Sequence, residues 1–371
     1  MCNPINRFLV VLSTFFRLHR VRHIGHITRS YGRLIDTVYV VLSSRETSFH
    51  IHQFDDLLAL LRKTLWVFPS AREYPFLSKL LSEELLIVRS QMFLRIYNLL
   101  WKLCPSRTKS TDDYFPFLIQ YLQFGKDLDI KHLAFSHQKM LDILEEPQVE
   151  APRPLILLYV RSSHWDLNVL KSPTLAASQQ FRNFDELDFA ETVKEFTDRG
   201  YLIVKIGRDC KSSLSSPAFK DYASNVLAND EMDLVLFSKA RFCISTAGGA
   251  EGPSVLFSTP VLIVNFRAGV LTNSRGFQDR RRCYLPITFY YHDTGEPLTI
   301  RDITTLNLMN HDGFFDEGLL KCSGIGVRAN HPTTIRLAAL DFNEFLREGW
   351  SRHIQSIDGV LISTRWENFR V

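Results

Sequence analysis

The sequence predicts an α/β protein of two domains, the second built on a parallel, Rossmann-like sheet. Three observations carry this. At 371 residues the chain exceeds one small core and suits two domains of ordinary size. A proline-rich stretch divides it, and beyond that stretch apolar runs of strand length alternate with helical segments. With 45% hydrophobic and 23% charged residues the composition is globular, so these runs are expected to pack.

Residues 1–146 read as the first domain, mixed α/β with short strands. A β-branched run at 38–42 and a second run at 65–68, stopped by Pro69, have strand length. Residues 54–61 read as a helix with Leu57, Leu58 and Leu61 on one side. From 77 to 103 apolar residues recur at helical intervals, ending at Cys104-Pro105. Residues 147–154, with Pro147, Pro152 and Pro154, are the expected linker.

The second domain, 155–330, is more regular. Residues 155–160 form a continuous apolar run, as in a strand buried on both faces. Asn183 is placed to cap a helix bearing Leu187, Ala190, Val193 and Phe196, and Gly200 ends it before a strand at 201–206. Asp230 opens a second amphipathic helix with Met232, Leu234, Val235 and Phe237. Residues 241–246 are then a strand, followed by a glycine-rich loop, a short helix and a further strand at 261–264. The tail, 331–371, is expected to be helical, with Leu340, Phe342, Phe345 and Trp350 as its apolar side.

Composition excludes several functions. A net charge of +4 with no long basic stripe argues against nucleic acid, although Arg17, Arg20, Arg22, Arg29 and Arg33 make the start locally basic. The six cysteines are scattered without a CxxC pair, which excludes a zinc knuckle or dithiol site, and Cys243 reads as a small buried thiol. His19, His23 and His26 do not put two histidines on one helical face with a matching carboxylate, so no metal is expected. The apolar residues 8–12, then Phe15 and Phe16, fall short of the ~20 that a membrane span needs. That segment either lies on an anionic membrane surface or is a buried first element. Without a secretion signal, a cytoplasmic, reducing location is the expectation.

The strongest motif is the run from Ser245 through Thr246, Ala247, Gly248, Gly249, Ala250, Glu251 and Gly252 to Pro253. Glycines let backbone N–H groups approach an anion closely, and a helix N-terminus beyond them favours negative charge. Ser245 and Thr246 add hydroxyl donors, and Glu251 can take the paired hydroxyls of a ribose or sugar. No Lys-Ser/Thr pair follows the glycines, the spacing is not GxGxxG, and no GxSxG elbow exists. A nucleoside-triphosphatase loop, a nicotinamide dehydrogenase and an ordinary hydrolase are thereby disfavoured. Arg161 ends the domain's first strand, where its planar fork suits a diphosphate and can neutralise a leaving group. Arg182 and Arg208 are placed near enough to contribute to phosphate or base. Near the start, His26 follows Ile24-Gly25 at a strand end, where a neutral imidazole can act as general base.

Beyond these motifs the chain resembles a known family. The residues that carry it begin with Arg182-Asn183-x-Asp185, Gly200-Tyr201, Ile206-Gly207 and Asp221-Tyr222-Ala223. They continue with Met232-Asp233-x-x-Leu236, Ala240-Arg241-Phe242, Ser245-Thr246-x-Gly248, Leu256-Phe257, Pro260 and Leu298-Thr299-Ile300. Ile24-Gly25-His26 resembles the family's N-terminal motif. Together they resemble bacterial glycosyltransferases found with surface-polysaccharide genes, whose C-terminal domain is of the GT-B kind. The resemblance implies two facing Rossmann-like domains, with the nucleotide-sugar donor in the C-terminal one and the acceptor side in the N-terminal one. It also implies a metal-independent transfer with no cofactor beyond the nucleotide-diphosphate-sugar co-substrate.

Arg161 further looks like the strand-end arginine of fucosyltransferases that bind a GDP-sugar, but Ser162 stands where that motif has a second arginine. The donor base therefore stays open. The resulting expectation is a cytoplasmic glycosyltransferase acting on a glycan or lipid-linked acceptor, either free in the cytoplasm or at the inner face of the cytoplasmic membrane. His26 and Arg161 are its catalytic residues. Arg182, Arg208, Ser245, Thr246, Gly248, Gly249, Glu251 and Gly252 are its donor contacts. Two rivals share the architecture: a nucleotide-sugar epimerase, and a non-catalytic protein that binds sugar nucleotides.

Overall fold

A computed structural model of the chain describes residues 153–162, 183–207, 211–225, 228–266, 281–306, 317–357 and 360–369, together with the backbone of four strands in the first part. The chain divides into two compact units, Met1–Leu118 with Asn229–Glu231, and the remainder.

In the first unit, strands β1 (His23–His26), β2 (Thr64–Val67), β3 (Ile87–Val88) and β4 (Thr108–Ser110) form one sheet in the order β3-β2-β1-β4. All its pairings are parallel. Chain order reverses between β1 and β4, which makes the carboxyl end of β1 a topological switch point. The apolar run at 65–68 is thus a strand, shifted by one residue. Within the helix expected over 77–103, Ile87-Val88 form β3 and pair with Trp66 and Val67: β-branched residues in a helical spacing pattern took a sheet edge instead. The expected strand at 38–42 and helix at 54–61 lie outside the described residues, as does most of the linker.

The second unit is built on an eight-stranded sheet. Its strands in chain order are β5 (Leu155–Tyr159), β6 (Leu202–Lys205), β7 (Phe219–Asp221), β8 (Ala240–Ser245), β9 (Val261–Phe266) and β10 (Arg282–Pro286). A small antiparallel pair, β11 (Thr288–Tyr291) with β12 (Ile325–Arg328), stands apart. The tail adds β13 (Ile354–Ile357) and β14 (Val360–Ser363). The large sheet runs β13-β14-β10-β9-β8-β5-β6-β7, parallel throughout except for β13. β5 lies inside it between β8 and β6, with Leu155 to Leu158 all buried, as a strand covered on both faces requires. The chain order reverses between β5 and β8, the second switch point.

Helices cover this sheet. A 3-10 turn (Glu186–Phe189) leads into α1 (Ala190–Asp198), and the cap is Asp185, whose carboxylate accepts from Leu187 N, rather than Asn183. Its buried face is Phe189, Thr192, Val193 and Phe196, whereas Leu187 and Ala190, expected inside, are exposed. The extra 3-10 turn rotates the register that a continuous helix would have kept. α2 (Asp230–Lys239) is buried at Met232, Leu234, Val235, Leu236 and Phe237, so it is enclosed on all sides rather than amphipathic. Further helices are α3 (Ser254–Phe257), α4 (Ile300–Leu306), α5 (Glu317–Cys322) and α6 (Pro332–Glu348).

α6 packs on α1 and on the sheet. Edge-to-face rings join Phe196 of α1 to Phe242 of β8, and Phe242 to Phe342 of α6, which locks both helices to the sheet centre. The tail is therefore a helix followed by two strands; Phe342 is fully buried, while Trp350, beyond the Gly349 cap, is 66% exposed. No helix among the described residues is long and apolar enough to cross a membrane.

Candidate functional site

The site forms where β5 and β8 end side by side. In register, Tyr159 faces Ser245, and the pairing continues beyond the strands. Thr246 N donates to Tyr159 O at 3.0 Å, and Arg161 N donates to Thr246 Oγ1 at 2.8 Å. Phe184 N then donates to Arg161 O at 3.0 Å, which brings the segment before α1 onto the same residue. Arg161 and the glycine-rich loop, 85 residues apart, thus meet at the switch point.

The loop is shaped from within. Ala247 takes a left-handed backbone (φ 66°) and donates its N–H to Ser245 Oγ at 3.0 Å. The buried Ser245 hydroxyl donates to Glu251 Oε2, and Arg282 lies 3.6 Å from Glu251 Oε1. Glu251 is 6% exposed. Ser245 and Glu251, expected to face a ligand's phosphate and hydroxyls, are here turned toward each other, and Glu251 also toward Arg282. Their geometry props the loop. Residues Gly249–Glu251 close a 3-10 turn in which Gly252 N donates to Gly249 O at 3.0 Å, and Pro253 precedes α3. The helix beyond the loop is only four residues long, so its dipole is small and the loop's own N–H groups matter more. Those of Gly248 and Gly249 donate to nothing among the described residues.

Gly248 is required by contact. A Cβ there would lie 2.6 Å from both Cε1 and Oη of Tyr159. Gly248→Ala is expected to cost about 1–3 kcal/mol, as overpacking does. Urea unfolding checks this, and a Tyr159→Leu background should remove most of the penalty.

Beside the loop, Cys243 is fully buried; burial pushes its thiol well up, the Glu251 carboxylate adds to this and Arg282 opposes it. The small buried thiol read from the sequence is what the structure shows. At the carboxyl end of β6, Lys205 is 2% exposed and its Nζ lies 2.7 Å from Glu186 Oε2. Glu186 also accepts from Ser212 Oγ at 3.0 Å and from Ser213 N.

Among the expected site residues, then, the structure brings Arg161, Ser245, Thr246, Gly248, Gly249, Glu251 and Gly252 together. His26 is the last residue of β1 rather than part of the loop after it, and only its backbone is described. Arg182 and Arg208 lie outside the described residues. Sequence reasoning missed Tyr159, Lys205 and Arg282. Lys205 had a signal: it is a lone charge inside the apolar run 202–206. Among the described residues no group of three or more His, Cys, Asp or Glu is placed to hold a metal ion.

No protein-family model matches the chain, and no curated protein matches it. Solved structures similar to it in outline include these two. One is the E. coli ADP-heptose lps heptosyltransferase II, at 11% identity and TM-score 0.45, over 88% of this chain and 99% of that one. The other is a UDP-GlcNAc 2-epimerase from Neisseria meningitidis bound to UDP-GlcNAc, at 11% identity and TM-score 0.31, over 88% and 100%.

Proposed function

We propose that the protein is a glycosyltransferase of GT-B type that moves a sugar from a nucleotide-diphosphate-sugar to a glycan or lipid-linked acceptor. The observation that supports it most is the meeting of Arg161 with a loop whose Gly248 and Gly249 N–H groups have no acceptor among the described residues, at the switch point of a parallel sheet. Two adjacent N–H donors and a guanidinium at one strand edge suit the oxygens of a diphosphate. They stabilise the charge that builds on a departing nucleoside diphosphate, the task a divalent cation has in other transferases.

In this reading Ser245, Glu251 and Arg282 hold the loop's shape, and Thr246 clamps it to Arg161. Arg182 and Arg208 contribute to the phosphates or base. His26, at the carboxyl end of β1 in the first unit, takes the proton of the acceptor hydroxyl. The location proposed is the cytoplasm, at the inner face of the membrane where lipid-linked acceptors lie.

The test is calorimetric binding of UDP, GDP, dTDP and CMP to the purified protein, with and without EDTA. Saturable binding of one nucleoside diphosphate, unchanged by EDTA, is the expected result. Absence of binding to all four would remove the donor-site reading. Conversion of the matching nucleotide sugar without any acceptor would redirect it to an epimerase.

A further inference from the structure

Asn265 is the one polar residue in the run Val261–Phe266, and three features set it apart. First, it is the extra residue of a β-bulge: β9 and β10 pair Val264 with Leu285 and then Phe266 with Pro286, passing over it. Its φ of 54° lies in the left-handed region that asparagine tolerates and most residues avoid. Bulges beside sites re-aim a side chain, and such backbone strain persists only where the surroundings enforce it.

Second, the orientation of its amide is set by hydrogen bonds. Oδ1 accepts from both N and Nδ2 of Asn330, each at 2.8 Å. Asn330 is itself held, with Nδ2 donating to Pro286 O at 2.7 Å and Oδ1 accepting from Thr288 Oγ1 at 3.3 Å. Because both atoms that reach Asn265 Oδ1 are donors, flipping the amide would set N–H against N–H. The NH2 is therefore the group turned away from Asn330 N and Nδ2.

Third, that NH2 is buried and has no hydrogen-bond partner among the described residues, although Asn265 is only 4% exposed. A buried donor left without an acceptor costs about 1–3 kcal/mol, and native proteins rarely leave one without a purpose.

Its place gives the purpose. β9 adjoins β8, and Ser245 pairs with Ile263. Continuing that register by two residues puts Asn265 level with Ala247, directly before Gly248, at the same carboxyl edge as Arg161. We propose that Asn265 is a further ligand-binding residue of this crevice. Its Nδ2 donates a hydrogen bond to a hydroxyl or carbonyl oxygen of a group attached to the donor diphosphate. This rests on the donor-site reading above. Shielding from bulk water makes such a bond strong and selective: a ligand with an oxygen there is favoured over one without it.

The test compares wild type, Asn265→Asp, Asn265→Gly and Arg161→Ala for binding of UDP, GDP and dTDP and of UDP-glucose, GDP-mannose and dTDP-glucose. Asp keeps the acceptor that Asn330 needs and removes the NH2. Gly accepts the left-handed backbone without strain. Thermal unfolding of each variant, followed by circular dichroism, shows that it is folded. A loss of about tenfold or more in both Asn265 variants supports the proposal. A loss confined to the nucleotide sugars would place the acceptor oxygen on the sugar, and an equal loss for the nucleoside diphosphates would place it on the ribose or base. Wild-type affinity in both Asn265 variants, with binding lost only in Arg161→Ala, would overturn it and leave the donor site standing, the amide then holding a buried water. Failure of the wild type to bind any of the six would overturn both.

Discussion

Arg161→Ala is expected to weaken nucleoside diphosphate binding by about 10- to 100-fold while leaving the urea unfolding midpoint near that of the wild type. The size follows from hydrogen bonds to a charged group, which contribute about 1.5–3 kcal/mol, at 1.4 kcal/mol per tenfold. The selectivity follows from how Arg161 is tied to the fold. Its clasp to the loop runs through the backbone, with N donating to Thr246 Oγ1 and O accepting from Phe184 N, and alanine keeps both bonds. Arg161→Lys should fall between, since an ammonium keeps the charge without the planar fork. Isothermal titration of the three proteins decides it. Equal affinity in wild type and Arg161→Ala would remove Arg161 from the site.

The second large effect is on stability. Glu186→Leu is expected to cost about 3–5 kcal/mol in urea unfolding, because it strips the carboxylate from a lysine that is 2% exposed. The double variant Lys205→Met/Glu186→Leu should recover most of that loss, since well-packed apolar residues replace a buried pair at little cost. The pair also sets a pH dependence. Burial pushes the Glu186 carboxyl up, but the Lys205 ammonium, the Ser213 N–H and the Ser212 hydroxyl together hold it below its usual 4.5. A carboxyl depressed in the folded state contributes stability that is present above its unfolded pKa and disappears as pH falls through the folded one. Wild type should therefore lose stability more steeply than the double variant once pH drops below about 4.5. Parallel acid limbs in the two proteins would contradict this assignment.

Local pattern was enough where local forces decide structure. Residues 155–160, 201–206, 241–246 and 261–264 were legible as strands because a strand buried on both faces is apolar along most of its length. Gly200 was legible as a helix end because its φ of +84° is one that glycine adopts freely. Patterns of spacing were weaker. The helical spacing around Ile87 gave way to a strand, since periodicity in a short segment does not say what lies beside it. Asp185 rather than Asn183 became the cap because both residue types cap well and the path of the preceding chain chose between them.

By itself, the sequence determined the α/β class, four central strands of the second sheet (β5, β6, β8 and β9), and the glycine-rich loop with Arg161 as residues suited to an anion. These depend on residue chemistry and on neighbours in the chain. Only the tertiary structure decided that Arg161 and Thr246 share a hydrogen bond across 85 residues, and that Ser245 and Glu251 face each other, with Glu251 also toward Arg282. It alone decided that Tyr159 occupies the space a side chain at Gly248 would need, and that the amide of Asn265 is left with a donor to offer. The physical reason is the same in each case. Which strand ends stand together is set by sheet order, and the packing of the whole unit selects that order.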